Sequence, residues 1–488
     1  MSVAFAIAAM LAELASGPGL VVLVPLVSAI GLAFVPNPRL AGWINAAAAT
    51  LTLGLAAALP FEARAGLLLR VDPLAAAMAG LTAFVGATTV WFAHSAAAPE
   101  AGRAEAAGSG AWCALFQLVL GGLLLALLSN NVPATWVGFE AATIGAICMT
   151  GLPRTEEAGA AASKQALLCG GGLALAFVGS TLLYLAAVPA LGSGLPAMTW
   201  SRLAAAASGC QPALLSLALG FLLLGYATLA GLAPLHAWVV DATAEGAAPG
   251  VSVFSGCALN VALIVILRVR GLLAANAGAI APGAPIMALG LASVLLAAAS
   301  LWRQRDAKRL FGQSTIGQSG VAAFAFGLGS PVAIAAGLLH LVLHTLTKAA
   351  IFQGLYLVPR REGRFDDLAG LLARHRGLGL TLAAAIVALA GLPPFGLFTT
   401  TFLILLETAR RLPGLALPLA LGVGVCGVVL LRRLVFVVAG EPAPDRGVAP
   451  PVAALVPAWV HLALVLVLGL AMPGPLAGWL AAMAEAVR

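Results

Sequence analysis

The chain has 488 residues, of which 62% are hydrophobic and 9% are charged, and its net charge is +7. Soluble proteins carry about 25% charged residues, so this composition excludes a soluble enzyme domain and a receptor with a large aqueous domain. Long continuous apolar runs exclude an outer-membrane barrel, whose strands would alternate polar and apolar residues. The basic residues lie in short groups between these runs, which predicts no nucleic-acid binding. The runs predict an all-α, polytopic membrane protein.

The apolar runs predict about fourteen transmembrane helices, since each crossing takes about 20 residues. They are placed at residues 19–36, 40–60, 73–95, 111–129, 132–151, 165–189, 213–235, 250–271, 281–301, 314–330, 331–358, 378–408, 413–433 and 451–473. The loops that follow odd-numbered spans, with the adjoining span ends, contain 16 Lys and Arg residues, whereas those that follow even-numbered spans contain 7. This predicts a bacterial-type inner membrane protein with both termini outside. Asp366 and Asp367 predict a short amphipathic helix in the largest cytoplasmic connection.

Two apolar segments are interrupted alike, GLAPL at 231–235 and GLPPF at 391–395, which are 160 residues apart. Pro234, Pro393 and Pro394 remove helical hydrogen bonds there. Paired interruptions are typical of a transporter built from two repeats, although two ordinary proline kinks are the alternative. The predicted units are N-terminal helices (1–110), a first repeat (111–272), a second repeat (273–435), and a C-terminal helix and tail (436–488).

The six cysteines occur singly in apolar stretches, without the paired spacing of iron-sulfur, zinc or disulfide sites. They are Cys113, Cys148, Cys169, Cys210, Cys257 and Cys426. We interpret all six as small core residues and expect no metal site. Glu407 precedes two arginines and predicts a surface ion pair. His94, His375 and His461 have no partner in the sequence pattern, so we interpret them as structural.

Ionisable residues within predicted spans carry the functional hypothesis, because a charge at mid-bilayer costs about 2.5 to 3.5 kcal/mol. Glu140 lies near the middle of its span. His340, His344 and Lys348, here called the polar row, recur every four residues and share one helix face. Histidine titrates near neutrality and a buried lysine can lose its proton, so the row predicts a proton relay. A polar seam that joins helices is the alternative.

The choice of lysine in the polar row supports this hypothesis. Only three of the 25 basic residues are lysine. Arginine is effectively always protonated, whereas a desolvated lysine can release its proton. Lys348 is therefore interpreted as selected for proton exchange.

Four further charged residues are candidates for auxiliary roles: Lys164, Asp241, Glu245 and Lys308. Lys164 lies near the start of the sixth span, where it either assists the relay or extends to the cytoplasmic face. Asp241 and Glu245 follow the first interrupted segment and form either a gate or a polar loop. Lys308 lies in a basic loop with Arg309, for which a cytoplasmic anchor is the simpler interpretation.

Five segments, in this order, resemble the antiporter-like proton-translocating membrane subunits: GFEAATI, GLAPLHAWVVDATAEGAAPGVSVFSG, RDAKRLFGQSTIGQSG, LLHLVLHTLTKAAIFQG and LAGLPPFGLFTTTFLIL. That family includes the large membrane-arm subunits of respiratory complex I, the Mrp-type cation/proton antiporters and the F component of hydrogenase-4. The segments lie within roughly residues 70 to 435. The residues of these motifs most resemble those of the hydrogenase-4 F component.

The resemblance implies fourteen or so helices with two inverted five-helix repeats, broken seventh and twelfth helices, and a hydrated polar axis at the membrane midplane. It implies that Glu140 is the fifth-helix glutamate that pairs with a lysine, and that the polar row is the central relay. Pro234 and Pro394 would mark the helix breaks.

Two positions depart from the family pattern. The lysine that commonly lies five residues before Pro234 is replaced by Leu229, so the partner of Glu140 is missing. The acidic residue or lysine that usually follows PPFGLF is Thr401, so the terminal proton site of the second repeat lacks a charge.

The resemblance implies a proton-translocating subunit of a hydrogenase-4 or NADH-quinone oxidoreductase type complex, with protons, or Na⁺, as the transported ion. Partners would be the lipid bilayer and other membrane and peripheral subunits. The chain has no sequence feature for a flavin, iron-sulfur cluster or nickel, so no cofactor is expected and redox catalysis would belong to partners. Two alternatives stay open: a non-pumping scaffold, favoured by Leu229 and Thr401, and a non-redox cation/proton antiporter or bicarbonate-uptake subunit.

Overall fold

The computed structural model describes residues 3–96, 109–246, 250, 253–358, 368–441 and 450–485. Within these ranges the chain forms twenty α-helices and one hairpin of short strands, β1 (Arg64–Ala65) and β2 (Arg70–Val71). The amphipathic helix predicted around Asp366 and Asp367 lies outside the described residues.

The helices up to residue 274 are α1 (Val3–Leu14), α2 (Gly17–Leu32), α3 (Pro38–Ala58), α4 (Pro73–Ser95), α5 (Gly110–Leu128), α6 (Val132–Gly151), α7 (Glu156–Leu191), α8 (Trp200–Ala206), α9 (Pro212–Leu229), α10 (Ala237–Glu245) and α11 (Leu259–Ala274). The others are α12 (Gly283–Leu301), α13 (Ala307–Leu328), α14 (Pro331–Tyr356), α15 (Leu371–Arg374), α16 (Arg376–Leu389), α17 (Gly396–Arg411), α18 (Pro413–Ala439), α19 (Val452–Leu470) and α20 (Gly474–Glu485). Short 3₁₀ turns lie at Leu59–Phe61, Leu195–Met198 and Ala207–Gly209, and a π-helical turn lies at Phe254–Ala258.

Eleven helices of the described chain are long and apolar enough to cross a membrane. The number becomes twelve if Ala8–Leu14 and Gly17–Leu32, which meet at a 79° bend, are one span. Each of the fourteen predicted spans overlaps a helix or a broken helix. The count of fourteen stays a prediction, because α13 is rich in polar residues and the predicted span 378–408 is divided into α16 and α17.

Capping residues set the starts of several spans. Asp72 accepts a hydrogen bond from the Ala75 amide at 2.6 Å, and Ser330 accepts one from the Ala333 amide at 3.1 Å. In both helices a proline follows the cap, where its missing N–H costs nothing. The sequence therefore fixes where α4 and α14 begin.

Helix α14 is the inner helix of the bundle. Of its most apolar 18-residue segment, 89% is buried, against 22% in α18. It packs against α4, α13, α16, α17, α19 and α20. Its side chains therefore meet protein on nearly every side rather than lipid.

The two interrupted segments form helix breaks with the same hydrogen bonding. Four hydrogen bonds from a backbone amide to a backbone carbonyl in the first break recur 160 residues later in the second. In the first break they run from Ala230 to Tyr226, Gly231 to Thr228, Leu232 to Ala227 and Leu235 to Leu232. In the second they run from Ala390 to Ile386, Gly391 to Ala388, Leu392 to Val387 and Phe395 to Leu392. Gly231 and Gly391 have φ angles of +67° and +70°, which favour glycine. Two copies of one structural unit would produce this match.

Side chains satisfy the backbone groups that these breaks set free. Trp238 Nε1 donates to the Thr228 carbonyl at 2.8 Å in the first break. Gln318 Nε2 donates to the Leu389 carbonyl at 3.2 Å in the second. Ser293 Oγ accepts from an amide of the first break at 2.8 Å. Non-helical backbone is tolerated at membrane depth only when protein groups bond it in this way.

Candidate functional site

The polar row lies inside the bundle on α14. His340, His344 and Lys348 are 0%, 2% and 0% exposed, so none of them faces lipid. Because each residue is four positions from the next, all three occupy one face of the helix. The structure therefore brings together the three residues that the sequence predicted as a relay.

His340 is oriented by a hydroxyl on the second broken helix. Its Nδ1 lies 3.0 Å from Thr400 Oγ1. The Thr400 hydroxyl donates to the Leu397 carbonyl at 3.1 Å, so its oxygen accepts from the N–H at His340 Nδ1. In the neutral ring this leaves Nε2 unprotonated and able to accept a proton.

His344 lies beside His340 with its ring nearly parallel, at a centroid distance of 6.4 Å and an angle of 16°. That distance is too long for a direct hydrogen bond between the rings. The buried Nε2 atoms of both histidines have no hydrogen-bond partner within the described residues. Buried polar atoms of this kind usually bond to water. Each ring thus keeps one nitrogen for a water-mediated proton step.

Lys348 is held by oxygens of α13. Its ammonium donates to the Phe311 carbonyl and to Ser314 Oγ, the latter at 2.5 Å. Nζ also lies 5.8 Å from the ring centroids of both Phe311 and Phe352, which favours a cation by cation–π attraction. No carboxylate of the described chain forms an ion pair with Lys348. The proton is therefore held by neutral groups, which can release it without stranding an opposite charge.

A small cavity lies between Ser314, which accepts a hydrogen bond from Lys348, and the second helix break. Its volume is about 20 Å³, and its lining includes Ser314, Gln318, Gly391 and Thr401. A water molecule needs about 10 to 15 Å³. Thr401 thus lies near the row without touching it, whereas its neighbour Thr400 makes the direct contact.

Asn260 on α11 joins the first half of the chain to the helix of the polar row. Its Nδ2 donates to Thr345 Oγ1 at 2.7 Å and approaches the Leu341 carbonyl at 3.3 Å. Asn260 is buried and follows the π-helical turn Phe254–Ala258. Turns of this type occur frequently at functional sites.

Glu140 is not joined to the polar row by any contact. It is half-buried on α6, and within the described chain it forms no hydrogen bond or ion pair. Leu229 is buried and lines a cavity of about 30 Å³ together with Phe139, Thr143 and Gln165. The missing lysine therefore leaves a small space beside the helix of Glu140.

Replacing Leu229 by Lys is expected to give a protein that assembles at the wild-type level. Leu229 lines a cavity that leaves room for the longer lysine side chain. Glu140 on the adjacent helix is unpaired, so the new ammonium can form an ion pair with it. The amount of full-length chain in purified membranes measures this. Leu229→Met, of similar size without charge, is the control, and loss of the lysine variant alone would contradict the geometry.

The auxiliary candidates gather in what we call the ion-pair cluster: Lys164, Asp241, Glu245, Lys308 and Arg309. Arg309 Nη1 lies 2.5 Å from Asp241 Oδ1, and its Nη2 lies 3.0 Å from Glu245 Oε1. Lys164 pairs with the other oxygen of Asp241, and Lys308 donates to the Ala244 carbonyl at 3.2 Å. The cluster joins α7, α10 and α13.

Three residues that complete the site were not predicted from the sequence. Thr400, Ser314 and Asn260 each contact the polar row or its helix. The only available signal was polar composition, in QSTIGQSG and TTT, which does not specify direction. Cys148 corrects another expectation: it is exposed, whereas four cysteines are buried and Cys426 is half-buried. A thiol is apolar enough to face lipid.

No group of three or more His, Cys, Asp or Glu side chains is placed to hold a metal ion in the part of the chain that the structure describes. His461 Nε2 lies 2.9 Å from Thr88 Oγ1 on α4. The predicted ion pair of Glu407 is present, since Arg411 Nε lies 2.5 Å from Glu407 Oε1.

Residues 129–426 match the family model described as NADH:quinone oxidoreductase/Mrp antiporter, TM. The chain belongs to this family. Over 465 residues it is 39% identical to the hydrogenase-4 component F homolog of Methylacidiphilum infernorum (isolate V4), covering 94% of this chain and 97% of that one. The resemblance inferred from the sequence motifs is confirmed.

The antiporter fold of the family is also evident from solved structures. A chain of the Mrp complex from Dietzia sp. DQ12-45-1b superposes with a TM-score of 0.79 at 19% identity, covering 96% of this chain and 97% of that one. A chain of respiratory complex I from Thermus thermophilus superposes with a TM-score of 0.77 at 24% identity, covering 95% and 99%. The chain is thus a helical, multi-pass membrane protein of the antiporter-like type.

Proposed function

We propose that the chain is a proton-translocating subunit of a multisubunit respiratory complex of the hydrogenase-4 or NADH-quinone oxidoreductase type. The observation that carries this proposal is the full burial of the polar row between protein helices. An imidazole–imidazole–ammonium series costs free energy in a membrane. Neutral partners such as Thr400 and Ser314 stabilise it without fixing its protons.

In the proposed mechanism the proton moves along α14. It leaves the Lys348 ammonium, which becomes a neutral amine, and is accepted by an imidazole nitrogen of His344 through water. His340 accepts it next at Nε2, while the proton on Nδ1 stays there, hydrogen-bonded to Thr400 Oγ1. The cavity lined by Ser314 and Thr401 has room for one water molecule, which would extend the path toward the break before α17. No electron moves in these steps.

The energy for transport would come from redox partners, because the hydrogenase-4 homologue is a component of such a complex by name. Membrane and peripheral partner subunits would hold the redox centres, and the transported ion would be a proton, with Na⁺ as the alternative. The Lys and Arg distribution supports an inner-membrane orientation with odd loops in the cytoplasm. The matched hydrogen bonds of the two breaks support inverted repeats at 111–272 and 273–435.

A second candidate function is a scaffold that has kept the fold and lost coupled transport. Leu229 and the unpaired Glu140 favour it, because the first half has no ion pair at this position. A Mrp-type cation/proton antiporter has support from the fold and from the family model, whose description names both groups.

Two measurements test the proposal. Purification from native membranes with identification of the companion chains defines the parent complex: hydrogenase-like or complex I-like companions support the proposal, whereas Mrp-type companions contradict it. In sealed vesicles that contain the native complex, the number of protons moved per electron must fall when the polar row is interrupted. If the number of protons moved per electron stays unchanged in a normally assembled complex, the result contradicts proton translocation by this chain and favours the scaffold function.

A further inference from the structure

The first turns of α13 carry two sets of contacts that belong to different parts of the molecule. Arg309 forms ion pairs with Asp241 and Glu245 on α10. Two residues further on, the Phe311 carbonyl accepts a hydrogen bond from Lys348, and Ser314 Oγ accepts another. One short stretch of helix therefore joins the ion-pair cluster to the polar row.

Helix α10 is the second piece of the first broken helix, so it is joined to α9 only by the non-helical residues 230–236. Asp241 is held from both sides, by Lys164 on α7 and by Arg309 on α13. Both carboxylates are partly buried, with side-chain exposures of 17% for Asp241 and 26% for Glu245. Charge pairs in such positions contribute more than fully exposed pairs do.

We propose that the Asp241–Arg309 ion pair is a coupling latch, which positions the start of α13 against Lys348 according to the position of α10. This proposal rests on the proposed function. Arg309 and Asp241 are positioning residues, since they act on Lys348 through the Phe311 carbonyl and the Ser314 hydroxyl. With the latch closed, both oxygens are placed to hold the ammonium.

Opening the latch changes both geometry and charge. If α10 moves away, the start of α13 loses its ion pairs and the oxygens that hold the Lys348 ammonium are no longer fixed. The Arg309 guanidinium also loses its compensating carboxylates, so the helix that contacts Lys348 gains an uncompensated positive charge. Both effects favour transfer of the proton from Nζ to an imidazole nitrogen of His344.

The first half offers a charged contact at α10 although Leu229 replaces the lysine. Glu140 has no partner among the described residues, whereas Asp241 and Glu245 on α10 are both paired. A conformational signal from partner subunits would then reach the row through α10 and α13.

The test uses the native complex in sealed vesicles and measures protons moved per electron. Arg309→Gln and Asp241→Asn are each expected to lower the yield by about fivefold or more. The double variant is expected to lower it by less than the two single losses combined, because both changes remove the Asp241–Arg309 pair. Arg309→Lys retains the charge and is expected to keep most of the yield, which a purely steric role would not predict.

The matched control is Arg411→Gln, which removes the exposed cation of the pair with Glu407 inside α17 and is expected to leave the yield unchanged. Normal yields in Arg309→Gln and Asp241→Asn, or losses that add in the double variant, would overturn the latch. If Arg309→Gln does not assemble, the comparison of Asp241→Asn with Arg309→Lys decides. If Lys348→Met abolishes pumping while the latch variants pump normally, only the latch fails; if Lys348→Met pumps normally, the proposed function fails.

Discussion

Replacing Lys348 by Met is expected to reduce redox-driven proton translocation on the order of 100-fold, to the passive leak of the vesicles. Methionine has a similar length and fills the same space, but it cannot carry a proton between the α13 oxygens and His344. The measurement is acidification per electron in vesicles that contain the native complex, so a slower turnover does not affect the result.

A second substitution at the same position separates proton exchange from charge. Lys348→Arg keeps a cation near Phe311 and Ser314, yet arginine is effectively always protonated. We therefore expect it to lose transport as completely as the methionine variant. Arg411→Gln, which removes a cation whose side chain is 53% exposed, is the control. Normal yield in Lys348→Met with normal assembly would contradict the role of the polar row.

Replacing His344 by Phe is expected to lower the proton yield on the order of 100-fold, because phenylalanine fills the space of the ring and removes both nitrogens. The gap between Lys348 and His340 then has no titratable group. The rate of proton uptake during single redox turnovers, measured with a pH dye, reports this step. We expect His340→Phe to give a similar loss and to free the Thr400 hydroxyl as well.

His461→Phe is the matched control for these substitutions. His461 is as buried as His340, at 0% exposure, and bonds to Thr88 on α4. If burial of a histidine were the only requirement, all three variants would behave alike. A loss confined to His340 and His344 supports the relay, while an equal loss in His461→Phe would assign the effect to packing.

The polar row, which we propose carries the proton, lies in the second half of the chain. The row and its partners Ser314 and Thr400 lie on α13, α14 and α17, whereas Glu140 in the first half is unpaired within the described chain. The first half contributes Asn260, which contacts α14, and Asp241, which pairs with Arg309 on α13. We infer that the first half controls the row and that the second half moves the proton.

Much of the fold followed from local properties of the sequence. Each predicted span overlaps a helix, because an apolar run of sufficient length can satisfy its backbone in the membrane only as a helix. The helix breaks at Pro234 and Pro394 were predicted from Gly and Pro alone. The register of the polar row was also local, since a spacing of four residues places side chains on one face.

The sequence by itself determined the membrane class, the helix breaks and the shared face of His340, His344 and Lys348, because these depend on hydrophobicity and helix periodicity. Only the tertiary structure decided what that face meets. Three of its contacts join residues that lie 34 to 68 positions apart in the chain: His340 with Thr400, Lys348 with Ser314 on α13, and Asp241 with Arg309. Such contacts depend on how helices pack, and polar composition does not specify which helices become neighbours.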